Sequence, residues 1–303
     1  MFDSNPGSKD AKLAERIRYR RFEELGLTPY LEQRQIIDMG DLPIHCELYE
    51  YDVQAPTILF IPGIGTYSEL YCELLARLSR QGFNLLAVDL RGHGYSGGDR
   101  GKYTVDQVVE DIQLVIDYVA SHYQGPVGLF GCSIGARLAL AVAEQDSRIK
   151  ALLCHTLFLS EIPPDIWHAL GWNSLQFANW FTPGMKVNFR TFVNVESLLK
   201  HNPMGQLADK DPLLVWDYPV STLYSLYSKP SSVLRRKLDT PSAIIIGSND
   251  DIIPLDYTQR LIRRSKHPFE LIVIEGGSHM LPFDHIEDTL NATGQWFKQA
   301  FID

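Results

Sequence analysis

Each thing this sequence lacks excludes a class of protein. No apolar run approaches the ~20 residues of a bilayer span, so no integral membrane segment is expected, although peripheral contact with a membrane stays open. Met1 to Gly7 carry no basic stretch followed by an apolar one, so no secretory leader is read there. Lys and Arg number 28 against 37 Asp and Glu, a formal charge of -9. A surface that tracks nucleic-acid phosphates needs clustered basic residues in excess, so no nucleic-acid partner is expected. Cysteine is scarce: Cys46, Cys72, Cys132 and Cys154 lie far apart, each within or beside an apolar stretch and without metal-ligand spacing. We therefore expect reduced, mostly buried thiols, no metal site and a cytoplasmic protein. Internal repeats and low-complexity tracts are absent too.

What remains is ample core material: 303 residues, 45% of them hydrophobic, enough for one large α/β domain or two small ones. The first ten residues are polar and read as disordered. Ala11 to about Leu25 favours helix, and its basic cluster Arg16-Ile17-Arg18-Tyr19-Arg20-Arg21-Phe22, offset by Glu15, Glu23 and Glu24, reads as a solvated face. Ile44 to Tyr51 alternates like a half-buried strand, and Thr57 to Ile61 reads as a buried one. Helical periodicity follows from about Glu69 to Arg80, then strand over Leu85 to Asp89, a glycine-rich loop from Leu90 to Gly98, and helix from Val105 to Tyr123. Ile149 to Cys154 is a further strand. From about Thr156 to Leu238 aromatics and prolines break this rhythm, which suggests a mainly helical insertion. Ser242 to Ile246 (strand), Leu255 to Arg264 (helix), Phe269 to Ile274 (strand) and Ile286 to Ala300 (helix) restore it. Such alternation predicts an α/β protein with a mostly parallel central sheet and helices on both faces. The division we expect is 1–43 as tail and helix, 44–155 with 239–303 as the core, and 156–238 as the insertion.

The chemistry centres on Pro126 to Leu140, where an apolar run meets Gly131-Cys132-Ser133-Ile134-Gly135 and passes into helix-favouring sequence. A hydroxyl at the tip of a strand-to-helix turn that tight demands a strained serine backbone and flanking residues without a Cβ. A serine is a poor nucleophile until a base lies within reach, and that base needs an acceptor to fix its tautomer. In an open parallel sheet these groups gather at the carboxyl ends of the strands. Gly247 to Pro254 follows the penultimate strand and offers Asp250. Gly276 to Leu281 follows the last strand and offers His279. The order Ser133, Asp250, His279 is that of nucleophile, acid and base in this architecture. His285, at the start of the closing helix, reads as a surface residue, and Asp251 as facing solvent or capping the next helix. His93 reads as structural in the glycine-rich loop, which Asp89 and Arg91 can tie down, and His155 as a packed histidine. An oxyanion needs donors as well. The backbone N–H of Ile134 is one, and that of Ile64, between Gly63 and Gly65 after the Thr57 to Ile61 strand, is the other.

Together, Pro62-Gly63-Ile64-Gly65 with Tyr67 and Ser68, the Asp89 to Gly98 stretch, the turn at Ser133 and the Asp250 and His279 loops resemble the α/β-hydrolase superfamily. Within it they are similar to the group containing monoacylglycerol lipases and serine aminopeptidase-like hydrolases. The resemblance implies a Ser133-His279-Asp250 triad, an oxyanion hole from Ile64 and Ile134, no cofactor, and a cap over the pocket. One departure is plain: the family usually opens its oxyanion loop with His-Gly, where Pro62 stands here. The aromatics of the insertion suit an apolar acyl chain, since its burial yields about 0.8 kcal/mol per methylene. The expected substrate is accordingly a small carboxylic ester with an apolar acyl group, such as a monoacylglycerol. Thioester hydrolysis, acyl transfer and amide cleavage on the same residues stay open, as does an idle ligand-binding protein on this fold.

Overall fold

The computed structural model describes residues 9–163, 166–191 and 211–302. Strands and helices alternate along most of the chain. Its strands are β1 (Gln35–Met39), β2 (Ile44–Tyr49), β3 (Thr57–Ile61), β4 (Asn84–Val88), β5 (Val127–Cys132) and β6 (Ile149–His155), followed by the short β7 (Lys186–Asn188) and β8 (Asp217–Pro219), then β9 (Ser242–Gly247) and β10 (Glu270–Ile274). Eight of them form one sheet in the order β1-β2-β4-β3-β5-β6-β9-β10. β1 pairs antiparallel with β2 and β2 with β4, while β4, β3, β5, β6, β9 and β10 run parallel. β7 and β8 make a separate antiparallel pair.

Strands buried on both faces need near-continuous apolar runs, and β3, β4 and β5 supply them after the polar Thr57 and Asn84 that open β3 and β4. Because successive side chains point to opposite faces, the run splits into two cores. Leu59, Leu86, Leu129, Leu152 and Ile244 pack against the helices Val105–His122, Ile134–Ala143 and Leu255–Arg264. Ile58, Phe60, Leu85, Phe130, Leu153 and Ile245 pack against Cys72–Ser79 and Ile286–Ala300. The Val105–His122 helix starts where the sequence says it should, at a capping box in which Thr104 and Gln107 satisfy each other's backbone N–H groups.

One element escaped the sequence reading. β1 lies inside the stretch assigned to the tail and helix, so the sheet begins at Gln35 instead of about Ile44. Its residues Gln35-Ile36-Ile37-Asp38-Met39 are largely exposed at the sheet edge and carry no apolar alternation to mark them. The first helix, Lys9–Glu24, also differs from expectation. Arg16 and Arg20 are exposed as foreseen, but Arg18 and Phe22, one turn apart, are buried. Only a partner distant in sequence makes that burial tolerable: Arg18 pairs with Glu69, 3.4 Å away. The disorder expected of residues 1–10 lies outside the described residues for 1–8, while Lys9 and Asp10 already belong to the first helix.

Arg18 belongs to a buried charge network that fastens the amino-terminal segment to the sheet. Arg34 reaches Glu69 at 2.7 Å and Glu47 at 3.2 Å, and His45 approaches Glu47 at 3.6 Å. Burial pushes the Glu47 carboxyl up to about 7, against the pull of His45 and Arg34. Among the described residues neither Glu47 oxygen receives a well-aligned hydrogen bond, so its charge rests on these ion pairs. Removing one member of a buried pair strands the other. Arg34→Ala is expected to lower the unfolding free energy in urea by about 3 kcal/mol. Lys102→Ala, which breaks the exposed pair with Asp99, is expected to change it by less than about 0.5 kcal/mol. Equal effects of the two would show that the network adds nothing.

Candidate active site

β3 sits between β4 and β5 in the sheet, so the chain leaves it toward one side and later returns on the other. At such a switch point the loops after β3 and β5 diverge and leave a crevice at the carboxyl ends of the strands. Ser133 stands there, directly after β5. Its backbone has φ 54° and ψ -117°, and among the described residues only Thr156 shares a positive φ without being glycine. The turn is as tight as its sequence implied. A Cβ on Gly131 would lie 2.3 Å from Gly135 O, and one on Gly135 would lie 2.2 Å from Ile61 O. The Ser133 N–H donates to His155 O at 2.8 Å, tying the turn to the end of β6.

The acid and base arrive on two interlocked loops. Asn249 N–H donates to Gly277 O at 2.9 Å, Ser248 N–H to Ile274 O at 3.0 Å, and Gly276 N–H to Ser248 Oγ at 2.8 Å. This brings His279 between the other two groups: its Nδ1 is 2.8 Å from Asp250 Oδ2 and its Nε2 is 3.2 Å from Ser133 Oγ. Asp250 Oδ1 accepts the N–H groups of Ile252 and Ile253 at 2.9 and 2.8 Å, so the carboxylate is fully used. Burial alone pushes this carboxyl up, but the hydrogen bond and charge of His279 and the Ile253 amide outweigh it and hold it below its ordinary range. A carboxylate facing Nδ1 fixes the tautomer, with Nδ1 protonated and Nε2 free to accept from Ser133.

The surroundings keep other groups out of the chemistry. His155, wholly buried as a packed histidine, lies with its ring 5.6 Å from that of His279. Burial, with the neighbouring His279 charge, pushes it down to about 3, so it stays neutral. Its Nδ1 is 3.1 Å from Cys132 Sγ, and burial pushes that thiol up to about 12, which leaves Cys132 inert. All four cysteines are free and buried. Asp251 is exposed, and His285 is half-buried at 3.6 Å from Asp288. His93 is buried, with Nδ1 3.1 Å from Arg91 O and Nε2 2.7 Å from the Tyr218 hydroxyl. Asp89 accepts from Ser68 N–H, Ser68 Oγ and Tyr95 N–H, and Arg91 pairs with Asp111.

Of the two expected oxyanion donors, Ile134 N–H opens the helix Ile134–Ala143, whose first amides carry partial positive charge. Ile64 lies in the loop after β3. Among the described residues neither amide has an internal hydrogen-bond acceptor. That loop is held by contacts the sequence reading did not anticipate. Gly65 O accepts Val215 N–H at 3.0 Å, and the Tyr67 hydroxyl donates to Asp211. The segment just before β8 is therefore joined to it by partners that no spacing rule connects. Among the described residues no group of three His, Cys, Asp or Glu is placed to hold a metal ion, and no helix is long and apolar enough to cross a membrane.

A switch-point serine on a strained turn, an imidazole bridging it to a carboxylate, and a mostly parallel sheet covered on both faces define a hydrolase of the α/β-hydrolase fold. Residues 53–286 match the family described as serine aminopeptidase, S33, and the chain belongs to that family. A monoglyceride lipase homolog of Monkeypox virus is 25% identical over 250 residues, 78% of this chain and 87% of the relative. A monoacylglycerol lipase of Paleococcus ferrophilus has the same fold, with a TM-score of 0.68 at 22% identity over 85% of this chain and 99% of that one. So has a soluble variant of monoglyceride lipase from Saccharomyces cerevisiae, with a TM-score of 0.70 at 17% identity over 88% and 95%.

The lowered Asp250 carboxyl has a thermodynamic consequence. A group whose folded pKa is depressed stabilises the protein above its unfolded value, and that contribution disappears as pH falls through the folded one. The ordinary value is 3.8, so the loss belongs below about pH 4. Wild type is expected to exceed Asp250→Asn in urea midpoint at pH 7, and the gap to narrow between about pH 4 and pH 2. A gap constant down to pH 2 would contradict the geometry.

Proposed function

We propose that this protein is a serine hydrolase that cleaves a carboxylic ester with an apolar acyl group through an acyl-enzyme. The observation that carries the reading is the continuous contact from Ser133 through His279 to Asp250, at 3.2 and 2.8 Å. Ser133 Oγ bonds to the ester carbonyl carbon while its proton passes to His279 Nε2. Asp250 holds Nδ1–H and stabilises the imidazolium. The tetrahedral oxyanion is received by the Ile64 and Ile134 amides. Its collapse breaks the bond to the alcohol oxygen, which takes the proton from Nε2. Water then repeats the sequence: its proton goes to Nε2, its oxygen bonds to the acyl carbon, and Ser133 leaves with the proton returned.

The apolar acyl group is supported by the insertion, which we read as a cap spanning 156–238. Its helix Ile166–Phe181 and the loop after it leave Phe177, Trp180, Phe181 and Met185 exposed, an apolar surface that water does not favour. The names of the monoglyceride and monoacylglycerol lipase relatives point the same way. Trp167, Trp172 and Phe192, aromatics of the same insertion, have side chains outside the described residues.

A fluorophosphonate probe is expected to label the wild type covalently, seen by intact mass, and to leave Ser133→Ala unlabelled. A folded wild type that stays unlabelled would overturn the hydrolase reading. For the acyl group, kcat/KM is expected to rise at least about tenfold from p-nitrophenyl acetate to octanoate, a modest share of the ~0.8 kcal/mol available per methylene. Acetate as the better substrate would exclude an apolar acyl pocket.

A further inference from the structure

The loop after β3 must present one amide to a developing negative charge, and its own backbone restrains that peptide by a single hydrogen bond. Pro62 before it has neither an N–H nor a side-chain donor. The turn itself is closed by Thr66 N–H donating to Gly63 O at 3.2 Å, with Gly65 at φ 73°, the positive φ that a type II turn requires of its third residue. A Cβ at Gly65 would lie 2.4 Å from Val215 O, so this backbone is also constrained from outside.

A second set of contacts acts on one peptide group. The Thr66 hydroxyl donates to Gly63 O at 2.8 Å. With its only hydrogen so used, Thr66 Oγ1 accepts from the Tyr71 hydroxyl, 3.1 Å away. The Tyr71 hydroxyl in turn accepts Gly63 N–H at 3.4 Å. The circuit starts and ends on Gly63; Cys132 Sγ, 3.8 Å from the Tyr71 hydroxyl, is a longer and weaker alternative acceptor than Thr66 Oγ1. Tyr71 is buried, clamped between the rings of Phe60 and Phe283 at 4.7 and 5.0 Å, and cannot swing out of the circuit.

The geometry of a trans peptide makes this circuit bear on function, because the carbonyl of one residue and the N–H of the next point in opposite directions from one rigid plane. No peptide among the described residues is cis. Holding Gly63 C=O therefore fixes the direction of Ile64 N–H. We propose that Thr66 is a positioning residue: its hydroxyl, oriented by Tyr71, locks the Gly63–Ile64 peptide so that the Ile64 amide stays aimed at the oxyanion. This role rests on the hydrolase reading above. It assigns to Thr66 and Tyr71 the stiffness that Pro62 does not supply, and it acts on the transition state more than on ground-state binding, because the full charge appears only in the former.

The test uses Thr66→Val, which keeps the shape and removes the hydroxyl, Thr66→Ser, which restores it, and Tyr71→Phe, which removes one oxygen. On p-nitrophenyl octanoate, Thr66→Val is expected to lower kcat about ten- to hundredfold with KM within about threefold, less than the ~10²–10³ reported for deleting an oxyanion donor outright. Thr66→Ser is expected to stay within about threefold of wild type, and Tyr71→Phe to fall between the two. Inhibition by octylboronic acid, which forms a tetrahedral adduct, is expected to weaken in proportion to kcat/KM across the series. A change in packing alone would move Tm without that proportionality. Folded Thr66→Val with unchanged kcat, or Thr66→Ser as impaired as Thr66→Val, overturns the role. Should Thr66→Val not fold, unchanged kcat in Tyr71→Phe overturns it equally. Wild type that the fluorophosphonate probe labels, combined with either result, leaves the hydrolase reading standing. Wild type that it does not label removes both.

Discussion

The strained backbone at Ser133 is the constraint on which the site depends. A non-glycine residue at φ 54°, ψ -117° costs about 1–3 kcal/mol and persists only where its surroundings over-determine it. Here they do. Gly131 and Gly135 let the strand and helix close to distances no side chain would allow, and His155 O captures the Ser133 N–H. The strain is held between β5 and the helix Ile134–Ala143, both largely buried. That arrangement raises the hydroxyl out of the sheet while leaving its neighbours packed.

The other components of the site follow from where β5 lies. β3 and β5 are adjacent although β4 intervenes in sequence, so the loop bearing Ile64 and the turn bearing Ser133 face one crevice. β6, β9 and β10 continue the sheet in the same direction, and their carboxyl ends deliver His155, Asp250 and His279 in order. The spacing of 117 residues between Ser133 and Asp250 is irrelevant to this convergence. What counts is that each residue follows a parallel strand in one sheet.

Buried polar groups divide into two kinds. Asp250, Asp89 and His93 have partners for the atoms that matter, and they sit in loops that must keep one shape. Glu47, Arg34, Glu69 and Arg18 instead balance charge against charge where the amino-terminal helix meets the sheet, with imperfect hydrogen-bond geometry. Such a network is a weak source of net stability but a selective one, because only the correct docking leaves no charge alone.

Much of this was legible in the linear chain. Periodicity placed the buried strands and the helices Val105–His122, Leu255–Arg264 and Ile286–Ala300 within a residue or so, because a fully buried strand must be continuously apolar and an amphipathic helix must repeat every 3.6 residues. The same reading put a serine, an aspartate and a histidine at strand ends, since the tight turn leaves a glycine signature and strand ends are marked by loop residues. β1 was missed because an exposed edge strand needs no apolar pattern, and the burial of Arg18 because its partner Glu69 is remote in sequence. The circuit of Gly63, Thr66 and Tyr71 left no trace, because threonine and tyrosine are ordinary residues until the fold brings their hydroxyls together. Residue order thus determined which groups were available and which segments would be strand or helix, both being local consequences of hydrophobic spacing and backbone sterics. Only tertiary structure decided which hydroxyl meets which imidazole and which carbonyl is pinned, because hydrogen bonds extend about 3 Å and depend on positions that no local rule specifies.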